Sequence, residues 1–155
     1  ILSALAEEQV GLVEQLHGAQ RQTHAGREFW SGTLQGLPVV LALSRIGKVA
    51  AATTALLLAD RYAVDALLFT GVAGALGPEV QVGDVVVARE LLQHDMDASP
   101  LFPRHEVPLT GRSRFPTDAP LSDALCLAAA QSLAAERIGL IAAGHGTVSM
   151  ELVEG

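Results

Sequence analysis

The stretch from Leu43 to Val87 constrains the fold more than any other part of this chain. It opens Ser44-Arg45-Ile46-Gly47-Lys48-Val49 and passes through an alanine- and leucine-rich segment to Asp60. It continues Asp65-Ala66-Leu67-Leu68-Phe69-Thr70 into Gly71-Val72-Ala73-Gly74-Ala75-Leu76, and closes on Val82-Gly83-Asp84-Val85-Val86-Val87. Strong helix formers dominate residues 47–60, which are apolar on most sides, so the pattern predicts a largely covered helix. Residues 66–70 are a short apolar run between Asp65 and Gly71, as expected of a strand buried on both faces. Gly71 and Gly74 carry no Cβ, which lets the backbone turn tightly and leaves room for a ligand. Open α/β sheets bind ligands beyond the carboxyl ends of their strands. This turn is therefore a candidate pocket floor, with a plain tight turn as the alternative.

The remaining chain extends the same alternation. Ile1 to Leu5 reads as the end of a first strand. Ala6-Glu7-Glu8 begins a helix whose acids sit where the macrodipole favours them, with Leu5, Leu12, Val13 and Leu16 as its buried stripe and Gly18 as its stop. Glu7 and Glu8 fit a solvated dipole role. Glu8 also lies at a strand-to-helix junction on the same sheet edge as the glycine turn, which makes it a functional candidate. Residues 19–27 are polar and read as a loop. Residues 28–34 and 37–43 are strand-like runs around Gln35-Gly36, a hairpin signal, and Trp30 reads as packing. The long stretch 98–118 holds four of the seven prolines and no periodicity, which predicts a loop serving as a lid or interface segment. Asp118 and Pro120 mark a helix start, the helix runs to about Glu136, and Ile138–Ala143 is a further strand. The expected fold is α/β: one domain over 1–155, with a central mixed sheet flanked by helices.

Composition narrows the function. Half of the 155 residues are hydrophobic and only 17% are charged, which argues against disorder. A formal charge of −7 disfavours nucleic acid and anionic membranes as partners. The single cysteine, Cys126, excludes an internal disulfide and a cysteine metal cluster, and its helical surroundings suit packing better than nucleophilic chemistry. No apolar run approaches the roughly 20 residues of a membrane helix, so a soluble, cytoplasmic protein is expected. His94-Asp95-Met96-Asp97 invites a metal, but no second cluster at ligand spacing completes a shell. Gly47-Lys48 lacks the upstream glycine of a P-loop, residues 71–77 do not spell G-x-G-x-x-G, and no G-x-S-x-G elbow occurs.

Four motifs in series carry a resemblance: Ser3-Ala4-Leu5-Ala6-Glu7-Glu8, Ser44-Arg45-Ile46-Gly47-Lys48-Val49, Phe69-Thr70-Gly71-Val72-Ala73-Gly74, and His94-Asp95-Met96-Asp97. In order and spacing the chain resembles the 5′-methylthioadenosine/S-adenosylhomocysteine nucleosidases of the nucleoside phosphorylase superfamily. The resemblance implies cofactor-free hydrolysis of an N-glycosidic bond in a nucleoside, with adenine released, as in methionine salvage. It implies that Glu8 activates the attacking water, a role suited to a carboxylate because an oxocarbenium-like transition state develops positive charge. Leu5 and Ile46 would line the sugar and alkylthio end, and Ala73 and Gly74 would flank the purine. Met150 and Glu151 would hold the ribose, Ser149 standing where the family has Glu. Val72 stands where the family often has Ser. The family's general acid is an Asp of a later strand, expected beyond Gly155, so a domain incomplete at its C-terminus is expected. The resemblance also implies a homodimer. Two other outcomes stay open: a phosphorylase, with Arg45 forking onto phosphate, and a degenerate nucleoside-binding relative.

Overall fold

The computed structural model describes residues 1–74, 78, 80–133 and 140–142. The chain divides into two units, Ile1–Val72 and Ala73–Gly155.

In the first unit the sheet is built on the hairpin. β3 (Arg27–Leu34) and β4 (Leu37–Leu43) pair antiparallel around Gln35 and Gly36, both at positive φ (51° and 82°). A two-residue loop with that conformation matches the twist of the strands it joins. β1 (Leu2–Ser3) lies parallel to β4, with Leu2 opposite Ala42, and β2 (His17–His24) lies antiparallel to β3. The sheet order is thus β1-β4-β3-β2, mixed as expected. On the far side of β1 the chain around Phe69 adds a parallel rung: Leu2 N donates to Leu68 O at 2.8 Å and Thr70 N to Leu2 O at 3.0 Å. Helix α1 (Lys48–Tyr62) ends at Ala63 in the left-handed region. It packs Leu58 onto Leu2, Phe29 and Ala42, with Leu57 and Tyr62 at the margin of this core. Arg27 ties the helix to β3, donating from Nε to Thr54 Oγ1 (2.5 Å) and from Nη2 to Thr53 Oγ1 (2.9 Å).

Four expectations for this unit need correction. The first helix is only a 3₁₀ turn, Ala6–Gln9, because Val10 leaves the helical region (ψ 129°) and Gly11 follows at positive φ (83°). Residues 19–24 are not loop but most of β2. That strand is exposed along almost its whole length, so it shows no apolar alternation, and the open edge of β3 recruits it through backbone bonds. The 66–70 segment is not covered on both faces: Leu67 and Phe69 are 46% and 44% exposed, since only β1 pairs with it among the described residues. Nor is α1 covered all round. It buries Thr54 and Leu58, whereas Val49 and Leu56 on another face stand 80% and 67% exposed.

In the second unit β5 (Val85–Val87) pairs parallel with β8 (Leu140–Ala142), and β6 (Glu90–Leu92) pairs antiparallel with β7 (Arg114–Pro116). The proline-rich segment therefore ends in a short strand, held by the Arg114–Glu90 ion pair at 2.8 Å. Helix α2 (Ala119–Leu133) starts where expected, because Asp118 Oδ1 accepts the Leu121 N–H at 2.8 Å. Cys126 is half-buried on α2, its Sγ 3.8 Å from Arg89 Nη2.

The β2–β3 pairing is most sensitive at Gly32. A Cβ there would sit 2.9 Å from His17 O and 3.2 Å from Leu16 Cβ, beside the register shift between His17 and Gln20. Backbone cannot swing aside as a side chain can. Gly32→Ala is expected to lower stability by about 1–3 kcal/mol, read as a reduced urea midpoint at unchanged slope. An unchanged midpoint would show that the bulge relaxes freely.

Candidate active site

The three parallel segments of the first unit deliver their carboxyl ends to one edge of the sheet. β1 leads into Leu5 and Glu8, β4 into Ser44-Arg45-Ile46, and the Phe69 segment into Gly71-Val72. Ser44 N donates to Ser3 O at 2.7 Å, holding the first two exits side by side. This is the end of a sheet where an α/β protein places its ligands.

Glu8 is the group that this edge organises. It is the third residue of the 3₁₀ turn, and its side chain folds back over the turn's entry. Oε2 accepts the N–H groups of Ala4 (2.8 Å) and Leu5 (2.9 Å), and Oε1 accepts the N–H of Val72 at 3.0 Å, from 64 residues away. The first two bonds satisfy donors that a helix start leaves free. The third joins two strand exits. Burial pushes the Glu8 pKa up, but the N–H groups of Leu5, Val72 and Ala4 together outweigh it and hold the carboxyl below its ordinary value. Glu8 is therefore both the helix-start partner and a fixed carboxylate on the strand-exit edge.

Gly71 corrects a further expectation. Its φ lies outside the left-handed region, so no tight turn demands glycine there. A Cβ at this position would instead meet Glu8, 2.9 Å from Oε1, 3.1 Å from Cδ and 3.2 Å from Oε2. The room that Gly71 leaves is filled by the chain's own carboxylate.

The other candidates divide. Leu5 and Ile46 are 43% and 56% exposed at neighbouring strand exits of the first unit. Ala73 and Gly74 are exposed and belong to the second unit. Ser149, Met150 and Glu151 lie outside the described residues. Arg45 is exposed at positive φ (66°), and its Nη2 donates to Gly26 O at 2.5 Å. In the acidic string, hydrogen bonds from Ser99 Oγ (2.6 Å) and N (3.1 Å) hold the Asp97 carboxyl below its usual range. Among the described residues no three His, Cys, Asp or Glu side chains gather as metal ligands, and no helix is long and apolar enough to cross a membrane. The contribution of Val72 has no signature in its residue type: its side chain is 89% exposed, and only its backbone N–H reaches Glu8.

Comparison with known proteins places this edge in a wider group. The model of the phosphorylase superfamily matches residues 1–151. The 5′-methylthioadenosine/S-adenosylhomocysteine nucleosidase of Chromohalobacter salexigens is 45% identical over 98 residues, 63% of this chain and 42% of that protein. The aminodeoxyfutalosine nucleosidase of Campylobacter jejuni is 37% identical over 147 residues, 93% of this chain and 63% of that protein. The crystal structure of the Neisseria meningitidis 5′-methylthioadenosine/S-adenosylhomocysteine nucleosidase, in complex with methylthio-immucillin-A, aligns with a TM-score of 0.82 at 32% identity. That alignment covers 90% of this chain and 59% of that one. The chain thus spans less than two thirds of the length of each of these relatives. With a match running over nearly all its residues, and with the mixed sheet that its hairpin and parallel exits predict, the chain belongs to the phosphorylase superfamily.

Proposed function

We propose that the protein hydrolyses the N-glycosidic bond of 5′-methylthioadenosine or S-adenosylhomocysteine and releases adenine, with Glu8 activating the water. One observation carries this: three backbone N–H groups hold the Glu8 carboxylate at the strand-exit edge. A carboxylate has about four acceptor directions. Two N–H groups bond to Oε2 and one to Oε1, so Oε1 keeps acceptor capacity for a water proton. Water oxygen bonds to C1′ as the C1′–N9 bond breaks, its proton passes to Glu8, and the electron pair leaves on the base, which becomes adenine by taking a proton from the Asp general acid that the resemblance implies. The fixed negative charge also stabilises the developing oxocarbenium ion. Leu5 and Ile46 would face the alkylthio end, Ala73 and Gly74 the purine, and Met150 and Glu151 the ribose hydroxyls. The reaction needs no cofactor, and a cytoplasmic place in methionine salvage follows from the substrates.

A second substrate reading, aminodeoxyfutalosine, is favoured by the Campylobacter relative, whose match covers 93% of this chain. The bond type and the role of Glu8 are the same, and base release from the two substrates side by side separates them. Phosphorolysis is disfavoured because a carboxylate beside the nucleophile repels phosphate.

The exposed apolar residues of α1 support the homodimer. Val49 and Leu56, seven residues apart, share one helical face, and exposed apolar faces of this kind mark interaction sites.

Glu8→Gln in the full-length protein is expected to lower kcat by about 10²–10⁴-fold, with adenine release independent of phosphate. Retained turnover would remove Glu8 from the mechanism and point to another base, whereas a wild type that releases no adenine would leave a binding protein. Because its pKa is lowered, Glu8 stays ionised below the ordinary 4.5 of a glutamate. The acid limb of kcat/KM that Glu8 contributes should therefore fall below that value, and a limb persisting at higher pH in Glu8→Gln belongs to another group. Leu56→Asp is expected to shift the sedimentation coefficient from dimer to monomer. A dimer that survives this change is built on a different face.

A further inference from the structure

We infer that Gly71 is a positioning residue for catalysis: its missing side chain is what lets the Glu8 carboxylate reach the third strand exit and accept the Val72 N–H. This rests on the role proposed for Glu8. Two alternatives are eliminated on geometry. Backbone conformation does not call for glycine at 71, since its φ is outside the left-handed region. Close approach of another backbone does not call for it either. The three heavy atoms nearest to a Cβ there are Oε1, Cδ and Oε2 of Glu8, all within 2.9–3.2 Å, tighter than ordinary van der Waals contact.

The identity of those atoms decides where a substitution acts. They are the far end of a flexible side chain, so an alanine at 71 displaces the carboxylate and leaves the sheet in place. Displacement stretches the 3.0 Å bond from Val72 N to Oε1. The bonds from Ala4 and Leu5 to Oε2 come from the residues that lead into the turn, four and three positions before Glu8, and not from the exit that carries Gly71. Gly71→Ala is thus a change at one strand exit that moves the reactive oxygen of another. A misplacement on the order of 1 Å costs about 10²-fold in rate when it falls on a reacting group.

The experiment is a double-mutant cycle in the full-length protein, following adenine release from 5′-methylthioadenosine for wild type, Gly71→Ala, Glu8→Gln and the double variant. Gly71→Ala is expected to lower kcat by roughly 10–100-fold with KM changed far less. Its acid limb should also move to higher pH, because the Val72 donor that favours the ionised form is lost. In the Glu8→Gln background the same substitution should change kcat by less than about twofold. Wild-type kcat in Gly71→Ala, or an equal loss in both backgrounds, overturns the proposal. Should Gly71→Ala fail to fold, adding Glu8→Ala removes the atoms it meets. Recovery of a cooperative melt by that double variant supports the contact, and continued failure overturns it. The two ideas fail separately. Inactive Glu8→Gln with fully active Gly71→Ala sinks only the role of Gly71, whereas fully active Glu8→Gln sinks the reading of Glu8 and this inference with it.

Discussion

The bond from the Val72 N–H to Glu8 Oε1 is the interaction on which the site depends. Charge-assisted bonds to backbone donors are about twice as strong as neutral ones, and a carboxylate that accepts several is both fixed and kept ionised. Here the donors come from two places far apart in the chain, so the carboxylate is set by the sheet and not by its own turn alone. That sheet in turn relies on a small core of Leu2, Phe29, Ala42 and Leu58, which locks α1 over β1, β3 and β4.

The same interaction lets a structural role coincide with the catalytic role proposed for Glu8. Two of the bonds to Glu8 serve the start of the 3₁₀ turn and would be expected of any acid at that position. A general base is useful only if its oxygen stands still relative to the reacting atom, and the capping bonds supply that stiffness. The cost is basicity, since the donors that hold the carboxylate also lower its affinity for a proton. Electrostatic stabilisation of an oxocarbenium ion tolerates this loss, because it needs a negative charge that persists more than a strong proton acceptor.

Helix α1 illustrates where residue pattern misleads. Its run of Ala and Leu is apolar on several faces, yet the sheet covers only the side bearing Thr54 and Leu58. Apolar character states that a surface prefers to leave water and does not name what will cover it. β2 is the converse case: apart from Gly18 and Ala19, His17 to His24 is polar, and it forms a strand because β3 offers an unpaired edge. Periodicity reports burial, and a strand exposed on both faces has none to report.

Local chemistry alone determined the hairpin at Gln35-Gly36, the body of α1 and the start of α2 at Asp118. Each follows from turn residues, propensity or capping within a few positions of sequence. It also determined that Glu8 follows a strand at the carboxyl edge of the sheet, where α/β proteins place ligands. Tertiary structure decided what Glu8 touches there. Backbone N–H groups are the same in every residue except proline, so no residue type at 72 announces a donor, and the absence of a side chain at 71 reads as freedom to turn until the neighbour is seen. Which empty space a glycine leaves, and what fills it, is a property of distances between segments that lie some sixty residues apart in the chain.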